Sequence, residues 1–292
     1  MYWVTLVLNN SLIFYNWMPC VADLVLDYPH EFYRENGTIR EHDKENFSFD
    51  DIHSIQENSK IFIKTDFLKN KMFQTQILPI IKTPFILISG VSDYQVDDYQ
   101  PILDSEYLVK WFCTNPPCYD SKVVGLPIGF EERNRTCGNQ EVLKYFYNTK
   151  HEDKLNRVLL PYHTESNNPK RTEYINYLKG LSFVDVQEEK LPFKEYLSLL
   201  SRYRFCVCLE GAGFDTHRNY ECLLTDTVPI MKISTVDMIY RQDNLPCISV
   251  ADWYTITDQF FSSFSEDKYN FNNVSEFMLT KTHAKRIMNE TV

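Results

Sequence analysis

"FCVCLEGAGFDTHRNYECLLTDTVPIM", Phe205 to Met231, is the stretch that decides how this chain folds. It opens on an apolar run, Phe205–Glu210, that ends in an acid. A turn follows with Gly211 and Gly213, then a polar cluster of Asp215, Thr216, His217 and Arg218. A helix-like stretch runs on to Asp226, and a second apolar run covers 228–233. Strand, tight turn, helix and strand in this order make a βαβ unit with parallel strands. The chain holds only 8 glycines in 292 residues, so two within three positions call for a reason. In an open parallel sheet, ligands sit beyond the carboxyl ends of the strands, and this turn leaves such an end. Glycine there lets the backbone come close to a ligand or adopt positive φ. The following helix offers N–H groups and a positive dipole end that suit a phosphate, with Asp215 or Thr216 as its cap. Arg218 in the first turn reaches phosphate oxygens as a bidentate donor. Glu221 lies on the same helix face and can accept from ribose hydroxyls. The cluster therefore reads as a nucleoside-diphosphate site. A capped helix with an Arg–Glu surface pair explains part of the pattern, but not all of it.

The same rhythm extends on both sides. Strand patterns cover 157–163, 182–187 and 247–252. Helix patterns cover 169–180, 192–203, 236–244 and 255–264. The helix over 169–180 has Pro169 at its start and Gly180 at its stop. Phe193, Tyr196, Leu197 and Leu200 recur at 3- and 4-residue spacing. The strands are continuous apolar runs, as a parallel sheet covered on both faces requires. Upstream, strands are expected at 60–67, 84–93, 108–115 and 122–130, and helices at 50–59 and 69–81. The expected fold is α/β with two Rossmann-like domains. An N-terminal domain spans 1–152, a C-terminal domain spans 153–265, and a helical tail over 266–292 packs back on the first.

Composition agrees with a globular chain: 43% hydrophobic and 24% charged, long enough for two ordinary domains. A net charge of −10 argues against nucleic-acid and anionic-lipid partners, but leaves room for a local pocket for a small anion. The 8 cysteines show no C-x-x-C pair and no zinc-type spacing. Cys206 and Cys208 alternate on a buried strand, where a thiol acts as a small hydrophobe. Cys113 and Cys118 are close enough in sequence to bridge and are read as free. The N-terminal 20 residues are apolar but interrupted by Asn9, Asn10, Ser11 and Asn16, with no basic segment ahead of them. Neither a signal peptide nor a membrane span is expected, and the cysteine usage fits a reducing, cytoplasmic setting.

The glycine turn lacks G-x-G-x-x-G and G-K-[ST], so neither a dinucleotide fingerprint nor a P-loop is present, and an NAD-dependent oxidoreductase is disfavoured. The stretch "LEGAGFDTHRNYECLLTDTVPIM" does resemble the nucleotide-sugar motif of exostosin-like glycosyltransferases, in which a glycine turn leads to Arg, then Glu on a helix, then a Pro-containing strand. "VKWFCTNPPCYDSKVVGLPIGF" and "LLPYHTESNNPKR" are similar to two further segments of that family. The resemblance spans about 84–255, and compact viral and bacterial members of the family, those of large DNA viruses included, are the closest in size. Ala212 and Phe214 depart from the family pattern, and the first 80 residues match none of it.

The resemblance implies the GT-B arrangement, with parallel sheets facing a central cleft, a UDP-sugar donor (xylose by analogy) and a glycan acceptor. It implies inversion, which needs a base to deprotonate the acceptor hydroxyl. Asp93, at the end of the strand over 84–93, is the first choice. Asp66, at the end of the strand over 60–67, is the second, and Asp97 the third. On the donor side, Glu210, Gly211, Gly213, Asp215, His217, Arg218 and Glu221 are the candidates, joined by Arg171 at a helix start and His163 at a strand end. No convincing D-x-D stands at a strand end, so no metal and no cofactor beyond the donor is expected. A GDP-sugar enzyme of fucosyltransferase type, or a non-catalytic carbohydrate- or nucleotide-binding protein of the same fold, are the alternatives.

Overall fold

The computed structural model describes residues 11–26, 32–33, 39–40, 55–133, 135–149, 151, 153–163, 170–264 and 269–291. It divides into two units: Met1–Ile128 with Leu279–Val292, and Gly129–Met278.

The first unit holds a five-stranded parallel sheet. Its strands are β1 (Leu24–Leu26), β4 (Ser59–Lys64), β5 (Phe85–Gly90), β6 (Leu108–Cys113) and β7 (Val123–Gly125), ordered β1-β4-β5-β6-β7. A two-stranded antiparallel ribbon joins β2 (Phe32–Tyr33) to β3 (Ile39–Arg40). Every residue of β5 is buried, which is the reason Phe85–Ile88 is an unbroken apolar run; the buried Ser89 accepts from Trp111 Nε1 at 2.8 Å. Short helices α1 (Thr65–Lys69) and α2 (Gln100–Leu103) flank the sheet.

The second unit carries the parallel strands β8 (Leu155–Leu160), β9 (Val184–Val186), β10 (Tyr203–Val207), β11 (Val228–Lys232) and β12 (Ile248–Val250). Its helices are α3 (Gln140–Tyr147), α4 (Arg171–Lys179), α5 (Phe193–Leu200), α6 (His217–Leu224), α7 (Asp237–Asp243), α8 (Asp258–Ser262) and α9 (Val274–Phe277). The order is β12-β11-β10-β8-β9. After β8 the chain adds β9 on one side, then crosses to place β10, β11 and β12 on the other. The sheet is thus wound in two directions from a reversal point between β8 and β10. Val158, Leu160, Phe205, Val207, Ile230 and Trp253 fill its core. The α/β class with two Rossmann-like domains holds, and it is the domain content of a GT-B protein.

The units divide at 128/129 rather than near 152. Residues from Gly129 onward are tied into the second unit: α3 packs against α6, and the Tyr147 hydroxyl donates to Ser275 O at 3.0 Å. The tail also differs from one continuous helical piece. Its first part stays with the second unit, where Phe277 stacks on Tyr220 at 6.2 Å. From Leu279 it belongs to the first unit. There Leu279 bridges Leu12, and Thr280 Oγ1 donates to Leu12 O at 3.0 Å ahead of α10 (Thr280–Asn289).

Two expected helices also differ. Residues 55–58 form a turn into β4, with Asn58 at φ 64°, and 50–54 of the helix expected over 50–59 lie outside the described residues. The helix expected over 69–81 is broken by Lys71 at φ 65° and continues as a π-helix over Phe73–Ile77 and a 3-10 helix over Leu78–Ile80. The cysteines among the described residues, Cys113 and Cys118 included, are free thiols. No helix among the described residues is long and apolar enough to cross a membrane.

Candidate functional site

The reversal point of the second sheet brings together the segments that leave β8 and β10. Such a point opens a crevice at the carboxyl ends of the strands. Here it holds a cavity of about 320 Å³ lined by His163, Arg171, Arg218 and Glu221, together with Gln187, Lys190, Tyr196 and the 191–193 segment. Arg171, Lys190 and Arg218 set three cations against one carboxylate. The pocket is therefore locally basic within a chain of net charge −10.

Arg218 is the hub. Its Nη1 meets His163 Nε2 at 2.7 Å, its Nη2 donates to Tyr162 O at 3.2 Å, and its Nε donates to the Tyr196 hydroxyl at 3.4 Å. Guanidinium only donates, so His163 Nε2 must accept and carries no proton. The ring's other nitrogen, Nδ1, then holds the hydrogen and donates it to Pro161 O. His163 is fixed as one neutral tautomer. Burial and the adjacent Arg218 and Arg171 cations push its pKa down to about 2. A neutral histidine that orients an arginine without adding charge is a positioning device. Arg171 reaches the same place from α4: its Nη2 donates to Leu209 O at 3.4 Å, while its buried Nε has no hydrogen-bond partner among the described residues. Glu221 is buried, and that burial raises its pKa against the opposing pull of Arg218 and His217. Tyr196, from α5, lies beside both Arg218 and Glu221.

The glycine turn behaves differently from expectation. Neither Gly211 nor Gly213 has positive φ; among the described residues the one glycine that does is Gly129. A Cβ added at Gly211 would meet nothing within 4 Å. Neither a positive φ nor packing against other protein atoms therefore requires glycine at 211. The turn is closed by Gly211 N donating to Gly213 O at 3.2 Å.

The flanking acids are internal props. Asp215 is buried and accepts from Asn219 Nδ2 at 3.0 Å and from the Tyr220 hydroxyl, so it braces the turn. Thr216 occupies the cap position but makes no side-chain cap bond; its hydroxyl donates to Asn219 Oδ1 at 3.2 Å. Both oxygens of Glu210 are engaged, one by Trp253 Nε1 at 2.9 Å and the other by Lys232 at 3.4 Å. His217 Nδ1 meets Gly129 O at 2.7 Å. The structure thus gathers His163, Arg171, Arg218 and Glu221 on one cavity. It keeps Gly211 and Gly213 on the adjoining turn, and gives Glu210, Asp215 and His217 partners inside the unit.

In the first unit, Asp93 is exposed three residues past the end of β5. Val91 between them has φ 55°, a costly conformation for a β-branched residue. Asp66 does not end a strand: β4 stops at Lys64, and Asp66 lies in the first turn of α1, 3.9 Å from the Lys64 ammonium. Asp97 is exposed.

Sequence reading missed Tyr196, Gln187, Lys190 and the 191–193 wall. For Gln187, Lys190 and 191–193 the segment "QEEKLPF" (187–193) carried the only signal, a basic residue and a proline between a strand and a helix, and Tyr196 read as one of the apolar positions of its helix.

No family model matches the chain, and no curated protein matches it. Among solved structures the chain is similar to one described as the crystal structure of a GtfA/B complex, at 11% identity and a TM-score of 0.40, covering 89% of this chain and 67% of that one. A likeness at that level does not identify a family.

Proposed function

We propose that the second unit binds the diphosphate of a nucleotide-sugar and that the protein is a glycosyltransferase. The observation that carries this reading is the cavity at the β8/β10 reversal point, lined by Arg171, Lys190 and Arg218; the Gly211 turn leads into the α6 helix that carries Arg218. Cationic side chains in a partly buried pocket suit a diphosphate, whose charge they would stabilise as it leaves. Glu221 would take ribose hydroxyls, and the apolar 191–193 segment would face the base. The resemblance to exostosin-like enzymes favours a UDP-sugar, with xylose by analogy, and inversion at the anomeric carbon. Arginine, lysine and the α6 N-terminus would take the place of a metal. The acceptor base is assigned to the first unit, with Asp93 ahead of Asp66. The strained Val91 beside Asp93 supports that order, because strain concentrates at functional positions. The acceptor would be a glycan.

A thermal-shift panel of UDP, GDP, CMP and NAD, with and without EDTA, tests the reading, since a ligand that binds only the folded chain raises Tm. The expected result is a UDP-selective shift, insensitive to EDTA, that is lost in Arg218→Ala. A GDP-selective shift would assign a GDP-sugar donor instead. No shift with any nucleotide would overturn the proposal.

A further inference from the structure

Behind the α6 helix that carries Arg218 and Glu221 lies a second cluster. Cys206 and Cys208 stand two residues apart at the end of β10 and project from the same face of the sheet. Cys222 meets them from α6. The three Sγ atoms lie within 4.8 Å of one another, with Cys208 and Cys222 at 3.6 Å. All three residues are at most 2% exposed. Three sulfurs around one ion at a metal–sulfur bond of about 2.3 Å sit roughly 4 Å apart, so the cluster needs only sub-ångström adjustment to close on a cation.

We infer that Cys206, Cys208 and Cys222 form a three-sulfur site for one soft, thiophilic cation of the Cu(I) class. Soft thiolates select such ions over Mg, Ca or Mn. The coordination number decides the class. Structural zinc takes four ligands, whereas these sulfurs form a group of three without a fourth His, Cys, Asp or Glu ligand among the described residues. Arg218 lies four residues before Cys222 on the same helix. Its charge reaches Cys206 and Cys208 and offsets part of the thiolate charge. A sulfur ligates as thiolate, so any proton held by a ligating Sγ is released to solvent on uptake, and no electrons move. The bound ion would tie β10 to α6. This inference does not depend on the donor reading.

The experiment is anaerobic titration of the reduced full-length chain with Cu(I) against a chromophoric chelator, with Zn(II) in parallel. The wild type should take one tight equivalent of Cu(I), with a higher Tm and an affinity that weakens at least tenfold per pH unit as pH falls. Cys222→Ala and Cys206→Val should each lose that equivalent, while Cys118→Ser should keep it. If neither cluster variant folds, X-ray absorption of the loaded wild type decides, with three sulfur neighbours expected. Tight binding unchanged in both cluster variants, a first shell of nitrogen and oxygen, or Zn(II) held more tightly than Cu(I) would each overturn the inference.

Discussion

Gly211→Ala separates folding from function more cleanly than any other change. The added methyl meets no protein heavy atom within 4 Å, and φ at 211 is not positive. Alanine is therefore tolerated sterically and narrows the unfolded ensemble, which stabilises by about 0.4–1 kcal/mol. For a chain of this size that is a rise in Tm of about 1–4 °C. If the diphosphate packs against the turn, the same methyl occupies its place. UDP affinity should then fall at least tenfold, a loss of about 1.4 kcal/mol. The assay pairs denaturant unfolding with calorimetric titration of UDP on both proteins. A destabilised Gly211→Ala would refute the reading of the turn's conformation. A stable variant that binds UDP like the wild type would refute the claim that a ligand needs this glycine.

Three further predictions test other parts of the molecule. His163 is neutral when folded, with its pKa pushed down to about 2, but takes a proton near pH 6.5 when unfolded. Below pH 6.5 the unfolded chain binds the extra proton, so this residue lowers stability by about 1.4 kcal/mol per pH unit as pH falls; unfolding of His163→Gln at pH 5 to 7 should show a correspondingly shallower pH dependence. Lys154 Nζ lies within 2.7–3.1 Å of Ser201 O, Tyr203 O, Thr225 O and Thr227 Oγ1, so Lys154→Met orphans buried acceptors and should cost about 2–4 kcal/mol by denaturant unfolding. Asp93→Asn should abolish sugar transfer while leaving UDP affinity within twofold; a fully active variant removes Asp93 as the base.

Much of the second unit was legible because its signals are local. The β10-turn-α6-β11 unit stands out through two apolar runs, a glycine turn and a 3.6-residue period; β9, β11 and β12 fall inside the expected runs, and β8 and β10 overlap theirs but begin two residues earlier. What depended on distant contacts was not legible. Nothing local says that 129–152 joins the second unit, because α3 reaches α6 across some 70 residues of chain. Asp215 carries the composition of a helix cap, yet Asn219 and Tyr220 capture it inside. The thiols at 206, 208 and 222 look like scattered small hydrophobes until the crossover folds α6 over β10. The 187–193 loop gave no motif because a cavity wall needs shape more than residue type.

The most direct test of the central claim is UDP release from a panel of UDP-sugars by the wild-type chain, with and without EDTA, followed for hydrolysis and for transfer to glycan acceptors. The account predicts release from one sugar above all others, unchanged by EDTA and abolished in Arg218→Ala. UDP that binds this cavity while every UDP-sugar stays intact would contradict it, and would make the protein a binder that does not transfer.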